Sequence, residues 1–166
     1  MERTVALRDQ LKAGLIAGIA AGVVIELFLF AMQLAWGTPP EKLAADFVFI
    51  AAVLLGPGAY ANPAAVPLGI VLHFCVAVGW ALGYVYLVRS QPQLLSRPWI
   101  SGAAYGLVVY VFMEIILITA GQYHRVAPGL FATQLVAHVF FYGVPVALIA
   151  SRLLRTMVAH PSTSSG

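Results

Sequence analysis

Four side chains able to titrate or bind a metal lie inside long apolar stretches of this sequence: Glu26, His73, Glu114 and His138. A charged group at the centre of a bilayer costs about 2.5–3.5 kcal/mol on insertion scales, so such residues mark functional sites by default. Two carboxylates and two imidazoles make an N₂O₂ donor set. The carboxylates neutralise one divalent cation, and four-coordinate sites for Zn, Fe or Cu are assembled from such ligands. The same four groups can instead form a titrating cluster, because two buried carboxylates do not both stay ionised and unpaired. A third chemistry is haem b, held by His73 and His138 as paired axial ligands in an electron-transfer protein. Two nearby carboxylates count against a porphyrin there, as does the supply of Lys42 and Arg125 alone for its propionates. The plainest alternative is a structural or accessory subunit, in which these side chains are interhelical glue worth about 0.6–2 kcal/mol per hydrogen bond.

Such residues need apolar helices to hold them. Of the 166 residues, 61% are hydrophobic and 9% charged, too few charges to cover a soluble domain. The pattern predicts an all-α, integral-membrane four-helix bundle occupying residues 1–155 as a single domain, with 156–166 as a disordered cytoplasmic tail. The expected spans are about 13–36, 64–88, 99–120 and 129–151, each near the ~20 residues that cross the hydrocarbon core. The first is read as a retained helix and not a signal peptide, because its apolar run is long and carries Glu26. Arg3, Arg8, Lys12, Arg89, Arg97, Arg152 and Arg155 fall on one side of these spans, and Lys42 and Arg125 on the other. That bias predicts cytoplasmic N and C termini in a bacterial inner membrane. Trp36, Trp80, Trp99 and the tyrosines near helix ends read as interfacial anchors.

The first outer loop, residues 37–63, holds a fifth apolar stretch from Leu43 to Leu55. It is short for a span, and a crossing there would send Arg152 and Arg155 outward. Thr38 and Glu41 match a capping box, with Pro39 and Pro40 in the first turn, and Gly56-Pro57-Gly58 ends the stretch. The expectation is an interfacial helix over about 39–55, packed as a lid or gating a substrate.

The two halves of the chain resemble each other. Gly18 precedes Glu26 by eight residues, and Gly106 precedes Glu114 by eight. Pro40 and Pro128 each follow their glutamate by 14, and His73 and His138 occupy the returning helices. This reads as a parallel two-helix repeat about an axis along the membrane normal. Gly14, Gly18, Gly22 and Glu26 form one helix stripe, and Gly102, Gly106, Tyr110 and Glu114 another. Small residues mark close helix contacts in membranes, so both glutamates are expected to face the bundle core. With each span centred on the bilayer, all four polar residues are expected at one depth, about 3–6 Å outside the midplane. Gln33 and Gln134 lie outward of them on similar faces, and Gln122, Tyr123 and His124 would line a vestibule. The inner half lacks a chain of ionisable groups, which favours a site open to the outer side over a through-path.

Several classes are excluded. The single Cys75 rules out a disulfide framework or Cys-based zinc motif and reads as a small apolar residue. There is no basic run with interleaved aromatics, so no nucleic-acid partner is expected. No nucleophile, base and oxyanion donors are placed together, which argues against a hydrolase and, more broadly, against an enzyme. Di-iron sites of ferritin-like bundles need more carboxylates and a Glu-x-x-His spacing that is missing here. The expected partner is the lipid bilayer, with a homo-oligomer or larger membrane complex left open.

Gly14-Leu-Ile-Ala-Gly18 in the first helix, His73 followed by Gly83-Tyr84 in the second, Trp99, Gly102 and Gly106 in the third, and His138 in a fourth closed by basic residues resemble the YagU-type family of uncharacterised bacterial inner-membrane proteins. The resemblance spans most of the chain and implies an inner-membrane location without an activity. Members of that family often carry histidine where this chain has Glu114.

Overall fold

The computed structural model describes residues 6–121 and 128–159, with the side chains of 128–130 and 157–159 outside that description. Arg3, the loop residues Gln122, Tyr123, His124 and Arg125, and the tail from His160 therefore lie outside the described residues.

The chain folds as an all-helical bundle. Helix α1 runs Leu7–Ala35, α2 Ala45–Leu55, α3 Ala65–Ser90 and α4 Pro98–Thr119. The last long helix is α5, Pro128–Val136, a π-helical segment Ala137–Gly143, and α6, Val144–Ala159. Among the described residues, five helical segments are long and apolar enough to cross a membrane, one more than the four expected, because α2 and its 3₁₀ flanks form a 22-residue apolar run over Pro40–Ala61.

Glycine sets the helix register. A Cβ on Gly14 would collide with Leu82, one on Gly18 with Val78, and one on Gly22 would press on Phe74. Helices α1 and α3 are therefore antiparallel and close. Gly102 likewise meets Gly143, Val144 and Ala147, and Gly106 meets His138 and Val139, so α4 runs antiparallel to the last helix. Both expected glycine stripes thus lie at helix contacts. The buried face of α1 is Ala13, Gly14, Ala17, Gly18, Ala21, Gly22, Ile25, Glu26 and Leu29, whereas Leu15, Ile16, Ile19 and Leu27 are exposed. On α1, Ala and Gly make up most of the inner face and large aliphatic residues much of the outer one.

Helix α2 starts later than its sequence signal. Thr38 and Glu41 form no capping box: Pro40–Lys42 is a 3₁₀ turn without a side-chain cap, and the α-helix begins at Ala45. The Thr38 amide that Glu41 would have to cap instead donates to the Gln33 carbonyl at 2.9 Å. Helix α2 is seated on α3, because Gly69 leaves room for the backbone of Phe47. Ala51 and Ala52 cluster with Ala59 and Ala65. The chain leaves α2 through Gly56, whose φ of 61° suits a residue without a Cβ.

The π segment has a local cause. Pro145 has no amide hydrogen, so the ordinary bond to the carbonyl of Phe141 cannot form, and the turns before it widen. Tyr142 within this segment donates from its hydroxyl to the Ala77 carbonyl at 2.5 Å, tying it to α3. Phe141 stacks on Phe28 of α1 with ring centroids 3.9 Å apart.

Candidate functional site

The α1/α3 register brings Glu26 against His73. Glu26 Oε1 lies 3.2 Å from His73 Nδ1, and Glu26 is 7% exposed. The other ring nitrogen, Nε2, lies 3.2 Å from the carbonyl oxygen of Gly22. A carbonyl only accepts, so Nε2 carries a hydrogen. Its neighbour Nδ1 and the carboxylate Oε1 then hold one proton between them in the neutral pair. That proton sits on the acid with a neutral ring, or on the ring beside a carboxylate. Glu26 Oε2 is buried and has no hydrogen-bond partner among the described residues. The rings of Phe47 and Phe74 stand edge-on to His73, with centroids 6.2 Å and 5.1 Å from it.

A second polar contact lies beyond this pair, toward the C-terminal end of α1. Gln33 Nε2 donates to Asp46 Oδ2 at 2.6 Å, linking α1 to the start of α2. Asp46 is within electrostatic reach of Glu26. Gln33 is legible in the sequence as lying near the cluster, but Asp46 is not, because it stands in the first turn of α2, whose seat depends on Gly69. A carboxylate in the first turn of an otherwise apolar 11-residue helix was the available signal.

The remaining two expected residues are held differently. His138 is the second residue of the π segment; its Nδ1 donates to the Gln134 carbonyl at 2.8 Å, and its ring lies 5.6 Å from that of Tyr110. It is within electrostatic reach of His73. Glu114 is half-buried and forms no ion pair with a described residue. It stands eight residues beyond Gly106, the residue that meets His138, or about 12 Å further along α4. A common depth for all four residues is thus not what the helix contacts give, because Gly102, Gly106 and Gly143, not the bilayer centre, fix how α4 slides along its partner.

Among the described residues, no three His, Cys, Asp or Glu side chains converge closely enough to hold a metal ion. Glu26 and His73 have the spacing of two donors on one ion, since ligands ~2.0–2.1 Å from a tetrahedral centre lie about 3.3 Å apart. Gly22 would then serve as the outer hydrogen bond that orients a ligating imidazole. For haem, His73 has no disengaged nitrogen: one faces Glu26 and the other Gly22.

No family model matches the chain, and neither a curated protein nor a solved structure does.

Proposed function

We propose that the chain is a multi-pass membrane protein whose Glu26–His73 pair takes up and releases a proton. The observation that carries this reading is the Gly22 carbonyl. By fixing the hydrogen on Nε2, it leaves one mobile proton between Nδ1 and Oε1, in a site lined by aromatic rings. A second proton arriving at Oε2 pushes the first onto Nδ1, giving imidazolium beside a neutral carboxyl. Transition-metal binding by Glu26 and His73, with Glu114 and His138 completing the set, is the second reading, favoured by the ligand-like 3.2 Å spacing of the pair.

Exposed Leu, Ile and Phe, with Gly and Ala at the helix contacts, support membrane embedding, since helices in lipid pack through small residues. Within that reading, α1, α3, α4 and the Pro128–Ala159 helix cross, and both termini are cytoplasmic. In this reading α2 does not cross, which is supported by the antiparallel contact of α1 and α3: α3 then starts on the side where α1 ends. The resemblance to the YagU-type family fits a bacterial inner membrane.

The test is pH-difference infrared spectroscopy on the protein in lipid nanodiscs. A carboxyl band that grows on acidification is expected in the wild type and absent from Glu26→Gln. Identical difference spectra for the two proteins would sink the proposal.

A further inference from the structure

Helix α3 packs on α1 and α4 on the last helix, so α3 and α4 meet each other across a seam of rings. Trp80 lies against Tyr105 and Phe112, with centroids 6.3 Å and 5.6 Å away, and Tyr84 lies 5.1 Å from Tyr105. The Tyr105 hydroxyl donates to the Trp80 carbonyl at 2.5 Å. Beside this seam the surface of α3 is open. A Cβ on Gly79 would meet no described atom within 4 Å, and one on Gly83 would meet the Tyr105 hydroxyl alone. Trp80 is partly buried and Phe112 is 50% exposed. The two helices thus border a shallow apolar groove with rings on one side and bare backbone on the other. One end of it is basic. Arg89 stands in the last turn of α3 and Arg97 directly precedes α4, so the pair flanks the turn Pro92–Leu95 that closes the groove. Arg155 donates to the Leu95 carbonyl in the same turn. Arg89 and Arg97 are exposed and form no ion pair with a described residue. The chain has no Asp or Glu between Asp46 and Glu114 and none after Glu114, and Asp9 on α1 stands beside Arg8 and Lys12. Protein carboxylates therefore leave this positive charge uncompensated. Tyr86 and Trp99, close in sequence to the two arginines, are strongly exposed, as aromatic residues at headgroup level are. From Gly79 to Arg89 the helix rises about 15 Å, the depth of one leaflet of a ~30 Å hydrocarbon core.

We propose that this groove holds an anionic phospholipid, with one acyl chain along Gly79 and Gly83 beside Trp80 and the phosphate between Arg89 and Arg97. The inference rests on the membrane reading of the chain and is independent of the chemistry of the Glu26–His73 pair. Any groove on a lipid-facing surface fills with some lipid, and the arginines select which. Two guanidiniums without protein partners favour a headgroup of net negative charge over a zwitterionic one, whose ammonium they repel. A second copy of the chain is a poorer occupant. A two-fold mate would set the same arginine-bearing, acid-free segment against this one, like charge against like.

The experiment is tryptophan quenching in nanodiscs that contain a fraction of acyl-brominated lipid. Trp36→Phe and Trp99→Phe leave Trp80 as the single reporter. Brominated phosphatidylglycerol is expected to half-quench Trp80 at about one fifth of the mole fraction that brominated phosphatidylcholine requires. Arg89→Gln with Arg97→Gln should abolish that preference, and Arg8→Gln with Lys12→Gln should preserve it. Gly79→Leu, at a position with room for the side chain, should weaken quenching by both lipids. Equal quenching by the two lipids overturns the proposal. So does a preference that survives loss of Arg89 and Arg97, one that is lost equally with Arg8 and Lys12, or quenching that Gly79→Leu leaves unchanged. Shielding of Trp80 from both lipids overturns it in favour of a second copy of the chain. A control reporter, Ile19→Trp in a chain whose own three tryptophans are replaced by Phe, lies on the exposed face of α1. If that reporter also escapes both lipids, the membrane reading itself fails; if it is quenched by both, the fault lies with the lipid site alone.

Discussion

A methyl group added to Gly69 would overlap the carbonyl oxygen of Phe47, so the backbones of α2 and α3 touch at this pair. Gly69→Ala should therefore unseat α2, with a loss of about 1–3 kcal/mol typical of overpacking. Thermal unfolding in detergent checks this. A wild-type melting temperature would mean that the two backbones are not held together.

Pro145 is the stated cause of the π segment over Ala137–Gly143. Pro145→Ala restores the missing amide donor, and the segment should relax toward ordinary α-helix, rotating His138 relative to Tyr110. Hydrogen exchange at 141–144 should slow, and the His138 ring resonances should move. Unaltered resonances would show that the widened turns have another origin.

Glu26→Gln removes the mobile proton but keeps a hydrogen bond, because the amide can donate to Nδ1 once Gly22 holds the hydrogen on Nε2. Its stability should match or exceed that of the wild type, by up to about 1 kcal/mol, since a costly buried acid is gone. Added Zn should shift neither protein. A steep loss of stability in the variant, with the wild type stabilised by Zn, would establish metal binding instead.

A reporter fused after Arg155 should be active in the cytoplasm only. Activity of that fusion on the outer side would make the Pro40–Ala61 segment a true crossing and reverse the orientation of everything after it.

The long helices and the glycine stripes were legible in the sequence because both are local: a run of apolar residues and a four-residue period carry them. Glu26 and His73 were found for the same reason, each being a polar residue in an apolar stretch. The relation of Glu114 to His138 was not legible. It depends on how far α4 slides against its partner, and Gly102, Gly106 and Gly143 decide that jointly. The capping-box pattern at Thr38 failed because the Thr38 amide is taken by the carbonyl of Gln33 at the end of the preceding helix. The place of Asp46 was hidden because it follows from Gly69, more than twenty residues away in sequence. The widened turn at His138 did have a local sign in Pro145, but an unbroken apolar run masked it.

The acceptor that fixes the His73 hydrogen is part of the main chain, so a side chain at position 22 acts on it only through the seam, where a Cβ would press on Phe74. What controls it is the gap between two helices. At 3.2 Å the carbonyl of Gly22 holds the ring; widening the seam by about an ångström would exceed hydrogen-bond range and let the imidazole exchange tautomers. Bending or separating α1 and α3 would then reset which ring nitrogen is basic, so that a mechanical displacement of the bundle is read out as a change in proton affinity.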